Sequence, residues 1–193
     1  MSGSVRRRPR RPDELDAEQR AVYDRIVGGP RGSQAGQVPV TNDDGSLAGP
    51  FDLMTIAPAV GDAVQQVGAA IRFTTSLEPL VREAAILLVA ARHGCEFEWR
   101  AHAGAARAAG AGEDQLAELG AGQVPAGLTA EQAQALAAVR AMLVNGRLDD
   151  AEYSAASDQL GERTLAELVW LCGYYSMLAL ALAVFTPTSD EPE

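Results

Sequence analysis

Lysine is absent from this 193-residue chain; all sixteen basic residues are arginine. That excludes Schiff-base chemistry and a lysine general base. Cysteine and histidine are scarce, with only Cys95, Cys172, His93 and His102. Two cysteines in different predicted helices form no disulfide framework and demand no oxidising compartment, so a cytoplasmic protein is expected. Aromatic residues make up 5% of the chain, alanine is abundant and no segment alternates as a strand does. These scarcities favour close-packed helices over sheets, and the expected class is all-α. No internal repeat is visible.

Positive charge is missing from most of the chain as well. Five of the sixteen arginines, Arg6, Arg7, Arg8, Arg10 and Arg11, fall within the first eleven residues, and the other eleven face twenty-six acids. An acidic body lacks the basic patch that nucleic-acid binding requires, so no nucleic-acid partner is expected. Pro12, Asp13 and Glu14 follow the arginines where an export signal would carry an apolar run. The chain divides into a flexible Arg-rich tail over residues 1–12, one helical domain over 13–186 and an acidic tail over 187–193.

Helical spacing begins at residues 16–27, with Val22, Tyr23 and Ile26 as the apolar stripe and Gly28-Gly29-Pro30 as the stop. Residues 28–50 form a loop rich in Gly, Pro, Asn and Asp. It is long for a compact domain, which marks it as functional or wrapped over another surface. Val60, Val64, Val67 and Ile71 space a helix over 58–73. Thr74-Thr75-Ser76 breaks it and offers an N-cap to the next helix, over 78–93, which is apolar on nearly every side and therefore central. Gly94 separates this from a helix reaching about residue 109 and closed by Gly110.

A short helix is expected over 113–119. Thr129 opens another in capping-box form with Gln132, reaching residue 144. Asp149 caps a short helix ending at Gly161, and a long apolar helix begins near Glu162. Its segment 168–185 is uncharged over 18 residues, the lower edge of transmembrane length. Gly173, Tyr174, Tyr175, Ser176 and several alanines dilute it and its flanks are acidic. It therefore reads as a helix buried on most sides, in a core or a subunit interface, with no membrane partner.

The chemistry concentrates between residues 82 and 102. Cys95, Glu98 and His102 sit at i, i+3 and i+7 of one helix, and Glu83 on the preceding helix can fold back towards them. A thiol, two carboxylates and an imidazole in an Ala/Leu/Val-rich stretch point to acid/base or thiol chemistry. The plainer reading of His102 is an i, i+4 pair with Glu98 on a solvated face, and of Cys95 a small buried apolar residue. A metal site is not expected: the helix-bundle di-iron pattern repeats a Glu-x-x-His at i, i+3, and here the spacing is i, i+4 and occurs once.

The run Glu83-x11-Cys95-x2-Glu98-x3-His102, followed by a small-residue helix ending in Gly110, resembles the carboxymuconolactone decarboxylase family, which includes the alkylhydroperoxidase D-like proteins. Gly49-Pro50-Phe51, Leu77 ahead of Arg82-Glu83, Glu98-Trp99 and Gly173-Tyr174-Tyr175 are also similar to this family. The likeness covers roughly residues 12–186. It implies an alkylhydroperoxidase D-like helical bundle, a homo-oligomer (trimer or hexamer) and active sites near subunit contacts.

Two chemistries come with the resemblance. The peroxidase-like branch uses a Cys-x-x-Cys pair, and here Glu98 stands in place of the second cysteine. A carboxylate cannot resolve a disulfide, and its negative charge raises the Cys95 pKa. The decarboxylase-like branch is built around a Glu-x-x-x-His pair, which Glu98 and His102 match. The implied activity is a cofactor-independent lyase acting on a small carboxylated lactone or related enolisable acid. His102 is its acid/base, Glu98 orients it, Glu83 completes the polar cluster and Cys95 lines the pocket. Arg72 and Arg82 are the candidate anchors for the substrate carboxylate, and Trp99 and Tyr175 candidate pocket walls. The rivals are a thiol-dependent alkylhydroperoxidase-like antioxidant enzyme and a non-catalytic ligand-binding helical oligomer.

Overall fold

The computed structural model describes residues 7–33 and 40–185. Residues 1–6 of the Arg-rich tail, part of the 28–50 loop and the acidic tail over 187–193 lie outside the described residues. Among the described residues the only extended pairing is an isolated antiparallel bridge between Thr41 and Leu47. Everything else regular is helical, as the all-α expectation requires. The elements fall into two compact units, residues 1–73 with 177–193, and residues 74–176.

The first unit contains α1 (Ala17–Gly28), α2 (Pro30–Ser33), α3 (Pro50–Met54) and α4 (Pro58–Phe73). Asp16 starts α1 by accepting the Glu18 and Gln19 backbone N–H groups, while the Gln19 side chain accepts the Asp16 N–H. Val22, Tyr23 and Ile26 are buried as their spacing predicts. Two short helices, α2 and α3, were not expected. Pro30 and Pro50 each open one, proline at the first helical turn losing no hydrogen bond. Residues 7–10 are held rather than free. Asp52, 3% exposed in α3, pairs with the Arg7 guanidinium and accepts the Arg10 N–H at 3.2 Å. A buried carboxylate requires such partners.

Helix α4 has the expected bounds but not the expected buried face. Val60 and Val67 are exposed, and Gly61, Gln65, Gly68 and Ile71 turn inward. The reason is the close approach of α3: a Cβ on Gly61 would lie 1.8 Å from the Met54 carbonyl oxygen. Small residues let the backbones meet, and the valines take the opposite side. Gly61→Ala is expected to destabilise the chain by about 1–3 kcal/mol, as overpacking does. Urea unfolding measures this, and an unchanged midpoint would show that the contact yields freely.

The second unit contains α5 (Pro79–His93), α6 (Glu96–Ala108), α7 (Glu113–Gly120), α8 (Ala130–Asn145) and most of α9 (Asp150–Phe185). Helix α5 packs against α6, α7 and α8. This explains why every residue from Glu83 to Ala90 is buried. Its N-cap is Glu78 with Pro79 next, not the Thr-Thr-Ser run. Gly94 ends it in the left-handed region at φ 60°, so the chain reverses at once into α6. Thr129 and Gln132 form the expected capping box on α8.

Gly161 interrupts α9 with φ 77° and ψ 155°, a conformation that side chains resist, and divides it where the sequence places a boundary. The apolar part of α9 is long and apolar enough to cross a membrane by length and composition, and 44% of that window is buried. This is less than the burial on most sides read from composition. Trp170 (68% exposed), Leu180 (65%), Met177 and Val184 turn outward.

Candidate active site

The tight Gly94 reversal sets α5 and α6 side by side and turns two acidic positions and a histidine into one interior. Glu83 comes from the first turns of α5; Glu98 and His102 come from one face of α6. All three are between 2% and 3% exposed. Glu83 Oε2 lies 2.7 Å from His102 Nδ1. Glu98 Oε2 lies 3.4 Å from His102 Nε2. The imidazole therefore has a carboxylate at each nitrogen, with the closer one on the neighbouring helix rather than four residues back. The sequence expectation made Glu98 the orienting partner. Geometry gives the shorter contact to Glu83, on the facing helix.

Arg82 completes the set from outside, its Nε 3.2 Å from Glu83 Oε1. Tyr175, 3% exposed on α9, meets the His102 ring edge to face, with centroids 5.3 Å apart at 89°. Tyr174 meets Tyr175 in the same manner at 5.2 Å. Glu98 Oε1 is buried and has no hydrogen-bond partner among the described residues. An acceptor in that state is the place where a proton donor is missing.

Burial on its own pulls the His102 pKa down, but the hydrogen bonds and negative charges of Glu83 and Glu98 outweigh it and hold the imidazole above its ordinary value. With His102 protonated, the formal charges of Arg82, Glu83, His102 and Glu98 cancel. That balance is what makes ionised groups tolerable in so dry a place.

Cys95, Trp99 and Arg72 were the other expected site residues. Cys95 is not inside α6 but is its N-cap, at φ −87° and ψ 90°. Burial pushes its thiol pKa up and the Glu98 charge adds to this, against the lowering effect of the Glu98 and Phe97 backbone N–H groups. Trp99 packs on Gly120 of α7, where a Cβ would stand 3.3 Å from its Cη2. Arg72 lies in the last turn of α4, in the first unit.

Among the described residues, no group of three or more His, Cys, Asp or Glu is arranged to hold a metal ion. Both His102 nitrogens already face carboxylates. Two cavities open in the second unit. One of about 300 Å³ is lined by residues such as Leu88, Arg92 and Arg140, and one of about 570 Å³ by Arg147, Tyr153, Leu165 and Cys172. Neither is lined by Glu83, Glu98 or His102. Chemically the cluster has the groups to hold and pass a proton: an imidazole fixed at Nδ1, with Nε2 beside a carboxylate that has an oxygen to spare.

No curated protein matches the chain. Residues 58–141, from the first residue of α4 into α8, match the model of the carboxymuconolactone decarboxylase family. That stretch contains Glu83, Cys95, Glu98 and His102 together with the hairpin that assembles them. The match covers the central part of the chain, residues 58–141, and makes that part similar to the carboxymuconolactone decarboxylase family.

Proposed function

We propose that the chain is a cofactor-independent carbon–carbon lyase that removes carbon dioxide from a small carboxylated lactone or a related enolisable acid. The observation that carries this reading is His102 buried between Glu83 and Glu98, at 2.7 and 3.4 Å. In the reaction the bond to the substrate carboxylate breaks, carbon dioxide leaves, and the electron pair delocalises into the lactone carbonyl as a dienolate. His102 then gives its Nε2 proton to carbon and is recharged from solvent, so one proton is taken up for each carbon dioxide released. Glu83 holds Nδ1–H and stabilises the imidazolium. Glu98 steers the transferring nitrogen. Arg82, through Glu83, keeps the cluster neutral. The groups are closed to solvent, so substrate enters when their cover moves. The test is carbon dioxide release from 4-carboxymuconolactone by the wild type and by variants at His102 and Glu98.

The thiol-dependent reading is weaker on the same geometry. Burial raises the pKa of both cysteines, that of Cys172 to about 12. Neither is a ready thiolate.

We further propose that the enzyme is a homo-oligomer in which a second copy covers the outward face of α9. Trp170, Met177, Leu180 and Val184 are exposed and follow one another at seven, three and four residues, the spacing of a helix–helix seam. Changing Trp170 or Leu180 to Glu is expected to convert the oligomer to monomer in light scattering. A monomeric wild type would remove the proposal.

A further inference from the structure

The first unit holds a half-buried charge that the lyase proposal leaves unused. Arg31 lies in α2, and its guanidinium carbon stands 5.2 Å from the Phe51 ring centroid and 6.0 Å from that of Phe73. Its Nε and Nη2 are both buried, and among the described residues neither has a hydrogen-bond partner. These are not two arbitrary donors. Nε–H and the Nη2 group share one edge of the planar guanidinium, the edge that grips a carboxylate through two parallel hydrogen bonds. Stacking on rings uses the faces of the plane and leaves this edge for polar contact.

A permanently charged group with two buried, unanswered donors on its gripping edge lacks an anion. Several acids of the first unit are committed elsewhere. Asp52 is taken by Arg7 and the Arg10 N–H, Asp62 by Arg25, Asp24 by Arg20 and Glu14 by Arg8. Asp16 is committed to capping α1.

We infer that Arg31 is an oxyanion-binding residue of the first unit, taking the carboxylate of a small aromatic or unsaturated acid on its Nε/Nη2 edge with Phe51 and Phe73 as the apolar wall. The assignment is independent of the reaction proposed above. The flat acid suits both parts of the site: two coplanar oxygens match the fork, and a conjugated body matches the rings. Helix α2 is one turn long, so the edge opens by local movement of few hydrogen bonds.

Isothermal titration of the full chain with benzoate and, separately, with sulfate at matched ionic strength tests this. Saturable benzoate binding is expected in the wild type. Arg31→Lys keeps the charge but loses the fork and should weaken that binding at least tenfold, with helical circular dichroism unchanged. Phe73→Leu should weaken benzoate but not any sulfate binding. Absence of saturable benzoate binding overturns the inference, and so does binding that Arg31→Lys leaves intact. Sulfate bound in preference to benzoate would overturn the assignment to an aromatic or unsaturated acid.

Discussion

Replacing His102 with alanine is expected to lower kcat for carbon dioxide release by about 10²–10⁴-fold, the usual worth of a positioned general acid. The imidazole is the one group of the buried cluster that can give up a proton near neutral pH and be recharged. Its pKa is held above the ordinary histidine value by Glu83 and Glu98. A step that uses the protonated form should therefore run at a plateau below that raised pKa and decline as the pH rises through it. Glu98→Gln should shift the decline to lower pH, because one of the two negative charges is gone. Cys95→Ser should leave turnover nearly unchanged, since the thiol is raised rather than activated. Full activity in His102→Ala would remove the mechanism. Activity lost in Cys95→Ser and kept in His102→Ala would hand the site to thiol chemistry.

Much of this was legible in the residues because it depends on local spacing. Helix α4 runs over the residues its spacing indicates. Gly94 and Gly161 fall at breaks because glycine accepts the positive φ there at no steric cost. Glu83, Glu98 and His102 were recognisable as a set because acids and a histidine inside an apolar hairpin have few structural uses. What spacing cannot encode is distance across elements. Four residues of separation suggested Glu98 as the partner of His102, whereas the closer oxygen belongs to Glu83, nineteen positions earlier. The inward face of α4 was likewise hidden, since glycine carries no apolar signal and the valines do. Arg31 left no mark at all. Within a Gly- and Pro-rich stretch it reads as one more solvated cation, and only its two buried, unanswered donors distinguish it.

Loss of Glu83 should be the costliest single change to folding. Glu83→Ala removes the group hydrogen-bonded to Nδ1 and leaves a buried imidazole and the Arg82 guanidinium without their shared carboxylate. Breaking a buried pair from one side typically costs roughly 3–5 kcal/mol, which for a domain of this size is much of the stability available. The pH dependence separates this from a simple packing loss. A histidine whose folded pKa lies above its unfolded one stabilises the fold fully below the unfolded pKa, and that contribution disappears as the pH rises through the folded value. The wild type should thus lose stability from about pH 6.5 upward, until His102 is neutral. In Glu83→Gln, which keeps the volume, much of the raised pKa should vanish, so the slope above pH 6.5 should flatten. Urea midpoints measured between pH 5 and 9 decide it. An unaltered slope in Glu83→Gln would mean that Glu83 does not set the protonation of His102. It would also mean that the 2.7 Å contact positions the ring without tuning it.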